Sequence, residues 1–440
     1  MLISIFYCVI IFLLLVFLGI PIAYAMLATG IFYQVFYGGG MESLIIPFTE
    51  LRRGIKYSYL AMPLFILLGN LMNHTNISKY IVGFAQRIMA KIPGKTGLIT
   101  IFSCAATGPL TGSANGTTTS IGTVMIPEMK KAGYDIRYST ALLAYSGILG
   151  SLIPPSVSGL IYALITNQSV LNVWMATMGA GILYFILLSL AQLLLSRIKG
   201  YEISSKKMIN KKIGDSKKIG DFNLTRSLPA VLVPVSILGG IYGGVVTATE
   251  AGALGSFVTL LLGLFYYKTI RSKKLILSVL YESAYQTACL VFLVCASFVL
   301  SNIMVSSLAT KSIVQSLLSL TGNRYGVLLI VELLVLILGC FMDDTPIMTL
   351  LAPIASAILL PLGFHPLHVA GVFVLICLIG LITPPVGQVL YAASMISKEP
   401  IDRCLKDVYI FFIPALISIF LVTFIPGITL FFPRLFNLIE

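Results

Sequence analysis

Charge is scarce in this chain: 10% of its 440 residues are Asp, Glu, Lys or Arg, against 58% that are hydrophobic. A soluble domain carries about 25% charged residues to keep its surface hydrated, so that class is excluded, and the mean hydropathy of +0.99 agrees. Histidine is rarer still. His74, His365 and His368 include one pair three apart, but Pro366 lies between them and no third ligand is near, so no metal centre is expected from them. The seven cysteines (Cys8, Cys104, Cys289, Cys295, Cys340, Cys377 and Cys404) contain no Cys-x-x-Cys spacing, which argues against a thiolate site or a disulfide framework. Motifs of intramembrane enzymes are missing too: there is no His-Glu-x-x-His, Gly-x-Gly-Asp or Asp-Asp-x-x-Asp. Pro93-Gly94-Lys95-Thr96 echoes a phosphate-binding loop, but Met89 stands where that loop needs its first glycine, which disfavours an ATP-driven pump.

What the sequence has in abundance is long apolar runs. A membrane-spanning helix takes about 20 such residues, and the runs from first residue to last imply roughly ten to twelve embedded segments in a single membrane domain, 1–440. The run from Leu2 to Met26 has no basic residue before it and no small-residue cleavage site; the first basic residue is Arg52. It reads as a retained helix rather than a secretory signal. The net charge of +13 does not imply nucleic acid, because nine of the 29 basic residues fall between Arg197 and Arg226, with three acids. That stretch, 197–228, reads as a flexible basic linker on the cytoplasmic face, joining two halves.

The halves share a pattern. Gly133, Gly150 and Pro154-Pro155 reappear at an offset of 230 as Gly363, Gly380 and Pro384-Pro385, with Tyr134 answered by Phe364. Each set follows an apolar stretch broken at its middle: 98–129 is interrupted by the polar run 107–119, and 327–362 by 342–346. One helix with Gly, Pro, Ser and Asn at its centre is a poor explanation, whereas a re-entrant hairpin places the irregular backbone where protein or a water-filled cavity satisfies it. The Pro-Pro steps also stop helical bonding and free carbonyls upstream. Charge separates the two hairpins: Lys79, Arg87, Lys91, Lys95, Lys130, Lys131 and Arg137 flank the first, but Lys311 and Arg324 the second. By the positive-inside rule they open to opposite faces, so 58–165 and 286–396 read as an inverted repeat.

Two such breaks would bring helix N-termini and free carbonyls into one small volume that can hold an anion with cations. Hydroxyl and carbonyl oxygens suit a hard cation such as sodium, and Ser113, Asn115, Thr117, Thr345 and Thr383 are candidates, with backbone at Gly150 and Gly380. Asp343 and Asp344 are costly at membrane depth; capping of the following helix and cation or proton coupling both remain open for them. Thr247-Ala248-Thr249-Glu250 has the spacing of a capping box, which favours a structural role for Glu250. Glu282 and Glu332 sit in no interpretable motif.

The runs 108–116 (GPLTGSANG), 125–134 (MIPEMKKAGY), 149–156 (LGSLIPPS), 243–253 (GGVVTATEAGA) and 380–387 (GLITPPVG) resemble, in order and across nearly the whole chain, the large membrane subunit of tripartite ATP-independent periplasmic (TRAP) transporters. The resemblance implies an all-α integral membrane protein of the elevator type, with two re-entrant hairpins and broken Pro-Pro helices, in the bacterial inner membrane. It implies sodium as the coupling ion, no other cofactor, and an organic acid anion such as a dicarboxylate or sialic acid as solute. It also implies two partners, a small four-helix membrane subunit and an extracytoplasmic substrate-binding protein, besides membrane lipid. Position by position, sodium sites are implied at Ser113, Gly150, Ile153 and Pro155, and at Thr345, Gly380, Thr383 and Pro385. The substrate would lie between them, near Ser113, Thr117, Pro154, Asp343, Asp344 and Pro384. Many members have a second serine after the Gly-Ser, where this chain has Ala114-Asn115; Asn115 is a substitute oxygen donor. A stand-alone dicarboxylate or citrate carrier of the same superfamily keeps the architecture without the binding protein, and an intramembrane enzyme is the rival from another class.

Overall fold

The computed structural model describes residues 2–37, 43, 45–53, 60–75, 77–88, 95–201, 224–270, 272–306 and 309–439. Residues 202–223, most of the basic linker, lie outside the described residues, as do Met89, Lys91 and Pro93-Gly94. The described part is helical and contains no strand. It begins with α1 (Leu2–Phe17), α2 (Ile22–Phe36), α3 (Ile45–Arg53), α4 (Ala61–Thr75) and α5 (Ile77–Ile88). The first broken region is α6 (Lys95–Thr111), α7 (Ala114–Lys131), α8 (Ile136–Gly147), α9 (Leu149–Leu152) and α10 (Val157–Ile165), followed by the 29-residue α11 (Val170–Ile198).

Beyond the linker run α12 (Leu224–Tyr242), α13 (Ala248–Leu261) with a π-turn over Leu262–Tyr266, α14 (Lys273–Ser306) and α15 (Ala309–Thr321). The second broken region is α16 (Arg324–Gly339), α17 (Asp344–Leu359), α18 (Pro366–Gly380) and α19 (Gln388–Ser397), and the chain closes with α20 (Ile401–Phe424) and α21 (Pro426–Leu435). The capping box expected at Thr247 and Glu250 is formed and opens α13.

Among the described residues five helices are long and apolar enough to cross a membrane, or up to six if the pair Ile136–Leu152 and Val157–Ile165, bent by 46°, counts as one span. This is fewer than ten to twelve because the breaks cut apolar stretches into helices shorter than a bilayer needs; Ile22–Phe36, Leu228–Tyr242 and Pro366–Gly380 are apolar but short. The chain is a multi-pass membrane protein.

Burial sorts the helices into an inner set and an outer set. Every residue of α18 from Leu367 to Gly380 is buried, and so is every residue of α8 from Tyr138 to Gly147. Helices buried on all sides are covered by other helices rather than by lipid, so these two lie at the centre of the protein. Trp174, Tyr138, Tyr145, Tyr162 and Tyr184 fill this centre; Tyr184 donates to the Tyr145 carbonyl at 2.8 Å and Tyr138 to Gln192 Oε1 at 2.5 Å, while the buried Tyr145 hydroxyl has no hydrogen-bond partner among the described residues. By contrast α13 and α14 leave Phe257, Phe265, Leu277, Tyr281 and Tyr285 exposed, a surface that lipid covers without cost. Lys199 closes the end of α11 by pairing with Asp407 of α20 at 2.5 Å while lying over the Tyr138 ring.

Candidate functional site

At the first break the chain leaves helical geometry for two residues. Gly112 has φ +60°, a left-handed conformation that only glycine adopts freely. Ser113 is extended and caps α7, its Oγ accepting from the Gly116 N–H at 3.3 Å. The expected break over 107–119 is therefore narrower than the polar run: Thr107 to Thr111, Pro109 included, belong to α6, and Ala114 to Thr119 to α7. Helix continues on both sides because serine supplies the cap that the freed amides need. Thr111 and Thr117, on either side of the turn, share a 2.6 Å hydroxyl contact. Asn115 Oδ1 is buried with no hydrogen-bond partner among the described residues.

The second break spans Cys340 to Asp343. Asp343 stands at the N-cap of α17 and its Oδ1 accepts from the Asp344 N–H at 3.0 Å, so capping describes its geometry here. Asp344 and Thr345, expected within the break, form the first turn of α17 instead. Asp344 Oδ2 accepts from Ser158 Oγ of α10, a bond between the two halves of the chain. Tyr162 and Ser356 repeat that bridge further along the same helices at 3.4 Å.

Two contacts recur at positions about 230 apart. Gly108 of α6 lies against Gly150, where an added Cβ would stand 2.8 Å from the Gly150 Cα; Gly339 of α16 lies against Gly380, where the figure is 2.7 Å. The Val157 N–H donates to the Gly112 carbonyl at 3.1 Å, and the Gly387 N–H donates to the Cys340 carbonyl at 3.1 Å. In both halves the segment after the Pro-Pro step is thus stitched to the tip of the preceding hairpin. Pro154-Pro155 and Pro384-Pro385 are both cis.

The candidate residues of the first half are brought together. A Cβ on Gly150 would stand 3.1 Å from the Ser113 carbonyl and in collision with Thr117, while one on Gly112 would stand 3.7 Å from the Pro155 carbonyl. Pro154 and Pro155 are buried and Ile153 is half-buried. The second half is looser. Thr345 and Gly380 are buried, Thr383 and Pro384 half-buried, and Pro385 exposed. Thr383 Oγ1 donates to the Ile379 carbonyl at 2.8 Å and Thr345 Oγ1 to Asp344 at 3.4 Å, so no hydrogen bond joins Thr345 to Thr383 among the described residues.

Sequence reasoning passed over Thr111, Ser151 and Ser158. Ser151 reaches the Gly112 carbonyl at 3.4 Å, and Ser158 holds Asp344. The available signal was position alone: each is a small hydroxyl residue within one turn of a glycine or Pro-Pro break. Among the described residues no three His, Cys, Asp or Glu side chains gather as a metal cluster. His365 is instead the cap of α18, its Nδ1 accepting from the Leu367 N–H at 3.2 Å.

Broken inner helices, capped tips and a helix–helix exchange between halves agree with one match. Residues 9–428 match the family described as "Tripartite ATP-independent periplasmic transporter, DctM component". This chain belongs to that family. Among its relatives, the isethionate TRAP transporter permease protein DctMQ of Oleidesulfovibrio alaskensis is 30% identical over 86% of this chain and 58% of its own length. This TRAP large permease thus spans little more than half of that relative. The C4-dicarboxylate TRAP transporter large permease protein DctM of Pseudomonas aeruginosa is 29% identical over 86% of each chain, and the sialic acid TRAP transporter large permease protein SiaM of Vibrio cholerae is 29% identical over 96% of each. The TRAP large permease is a transporter subunit and not an enzyme.

Proposed function

We propose that this TRAP large permease imports an organic acid anion, driven by sodium, across the bacterial inner membrane, with a small four-helix membrane subunit and an extracytoplasmic binding protein as partners. The observation that carries the reading is the paired stitching of each Pro-Pro segment to the tip of its hairpin through Gly112 and Cys340. The residues 58–165 and 286–396 act in it as two inverted repeats. Each repeat offers a helix N-terminus, at Ser113 or Asp343, beside backbone that a Pro-Pro step has released from helical bonding.

The donor set fits a hard cation: Ser113 Oγ, the unpartnered Asn115 Oδ1 and the carbonyls of Gly150, Ile153 and Pro155 in one half, with Thr345, Gly380, Thr383 and Pro385 in the other. The anion would lie between, near Thr117, Pro154, Pro384 and the two aspartates. An organic acid anion as solute is supported by the relatives' names, which include isethionate, C4-dicarboxylate, sialic acid and 2,3-diketo-L-gulonate.

Sodium should raise the unfolding temperature of the purified chain relative to potassium at equal ionic strength, because a ligand that binds only the folded state stabilises it. Thr383→Ala should raise the half-saturating sodium concentration roughly tenfold, about 1.4 kcal/mol, and Ser113→Ala by a similar factor. Equal stabilisation by sodium and potassium, or unchanged sodium dependence in both variants, removes the site.

A further inference from the structure

Away from the breaks, two titratable side chains of the second half are buried without a role. Glu332, midway along α16, is 6% exposed and borders an apolar crevice lined by Leu328, Val331, Val335, Val372 and Phe373. Its Oε1 lies 2.8 Å from Thr423 Oγ1 of α20, and the same Oγ1 lies 2.8 Å from the Ile419 carbonyl. A hydroxyl has one hydrogen. Thr423 Oγ1 is the donor in both contacts, its one hydrogen shared between two acceptors, so Glu332 has part of one hydroxyl hydrogen and no ion-pair partner among the described residues, and a carboxylate so poorly compensated in an apolar crevice favours taking up a proton.

His368 of α18 adjoins the main chain of the same Thr423. Its Nδ1 lies 3.0 Å from Thr429 Oγ1 of α21, and that hydroxyl is committed to the Pro426 carbonyl at 3.0 Å. The tautomer that keeps both contacts carries its hydrogen on Nδ1 and donates it to Thr429. The neutral ring then leaves its lone pair on Nε2, which is buried with no hydrogen-bond partner among the described residues. Thr423 thus meets Glu332 through its hydroxyl and His368 through its main chain.

We propose that Glu332 and His368, bridged by Thr423, form a proton-binding site in the membrane-embedded second half of the chain, separate from the sodium ligands. A lone carboxylate in an apolar crevice would lack the pairing that ionised groups need at membrane depth, whereas a proton removes the charge. Loading and release exchange one proton with water and involve no other reactant. The remaining charged groups on the packed elements are His365 one turn before His368, Arg324 two turns before Glu332 on α16, Asp344 at the start of α17, Asp402, Arg403, Lys406 and Asp407 in the first two turns of α20, four or more turns before Thr423, Arg434 late in α21, and Arg197 at the end of α11. The site has no counterpart in the first half. At 230 residues earlier stand Phe102 and Tyr138, which carry no charge near neutral pH.

Infrared spectroscopy of the full chain in lipid tests this without substrate or sodium. A protonated carboxyl carbonyl band is expected at neutral pH, moving in deuterium oxide, disappearing in Glu332→Gln and persisting in Asp344→Asn. His368→Gln should raise the pH at which the band is lost by about one unit, a tenfold change in proton affinity, because the base that could take the proton is gone. Thr423→Val, which removes the bridging hydroxyl, should move the band and reads the site even if Glu332→Gln does not fold. A band indifferent to both Glu332→Gln and Thr423→Val overturns the proposal while leaving sodium stabilisation as a separate question.

Discussion

At the scale of single residues, the glycines at the crossing points decide how closely the broken helices approach. Gly380 meets Gly339 backbone to backbone, and a Cβ on either would stand 2.7 Å from the other's Cα. A main-chain atom cannot rotate away as a side chain can, so Gly380→Ala has to push α16 and α18 apart. Overpacking of this kind costs about 1–3 kcal/mol. Gly239 in α12 is the control, since nothing lies within 4 Å of the place its Cβ would occupy. Gly239→Ala should be neutral or stabilising by up to about 1 kcal/mol from helix propensity alone. Thermal unfolding of the two variants in lipid checks the difference, and equal stability would mean that the glycine crossing is not tightly packed.

Among the elements, the helices restarted after each break depend on their caps. Ser156 is extended, and its Oγ accepts from the Gly159 N–H at 3.2 Å as α10 begins, while its carbonyl accepts from Trp174 Nε1 at 3.1 Å. Ser156→Ala leaves a buried amide unpaired and should cost about 1–2 kcal/mol; unfolding in lipid that shows no loss of stability would remove the cap from the account. Caps of this sort also explain what the sequence could and could not disclose. The offset of 230 located Gly150 with Gly380 and both Pro-Pro steps, and the glycine contacts sit at those positions. The width of the breaks was overestimated, because Gly, Pro, Ser and Asn disfavour helix as isolated residues while a tertiary cap and a buried setting override that preference. The Ser158–Asp344 bond and the Glu332–Thr423 contact join residues 186 and 91 positions apart, so no local spacing announces them.

Across the whole molecule, each half lends a helix to the other. α10 of the first region packs on α17 of the second, and α19 of the second packs on α7 and α8 of the first, with Gly122 against Ile396. This exchange ties the two broken regions into one body. The outer helices make a different set of contacts through α4. Asn70 donates to Ser283 Oγ at 2.9 Å and to Gln286 Oε1 at 3.1 Å on α14, and Ser256 of α13 donates to the Leu64 carbonyl at 2.9 Å. Asn73 of α4 then touches the inner body, accepting from Ser120 Oγ of α7 at 2.7 Å. If the inner body moves as a unit against this frame, the Asn73–Ser120 contact must break in each cycle while Gly122–Ile396 persists. In a background with the seven native cysteines replaced, an oxidised N73C/S120C pair should therefore abolish solute uptake reversibly, and a G122C/I396C pair should leave most of it intact. The second pair is close enough to cross-link once the Leu143 side chain shifts, because a Cβ at 122 would lie 3.4 Å from Ile396 Cγ2 and 2.5 Å from Leu143 Cδ2. Uptake that survives the first cross-link, or is stopped only by the second, would place the moving boundary inside the body formed by α6–α10 and α16–α19 and rule out its displacement as a unit.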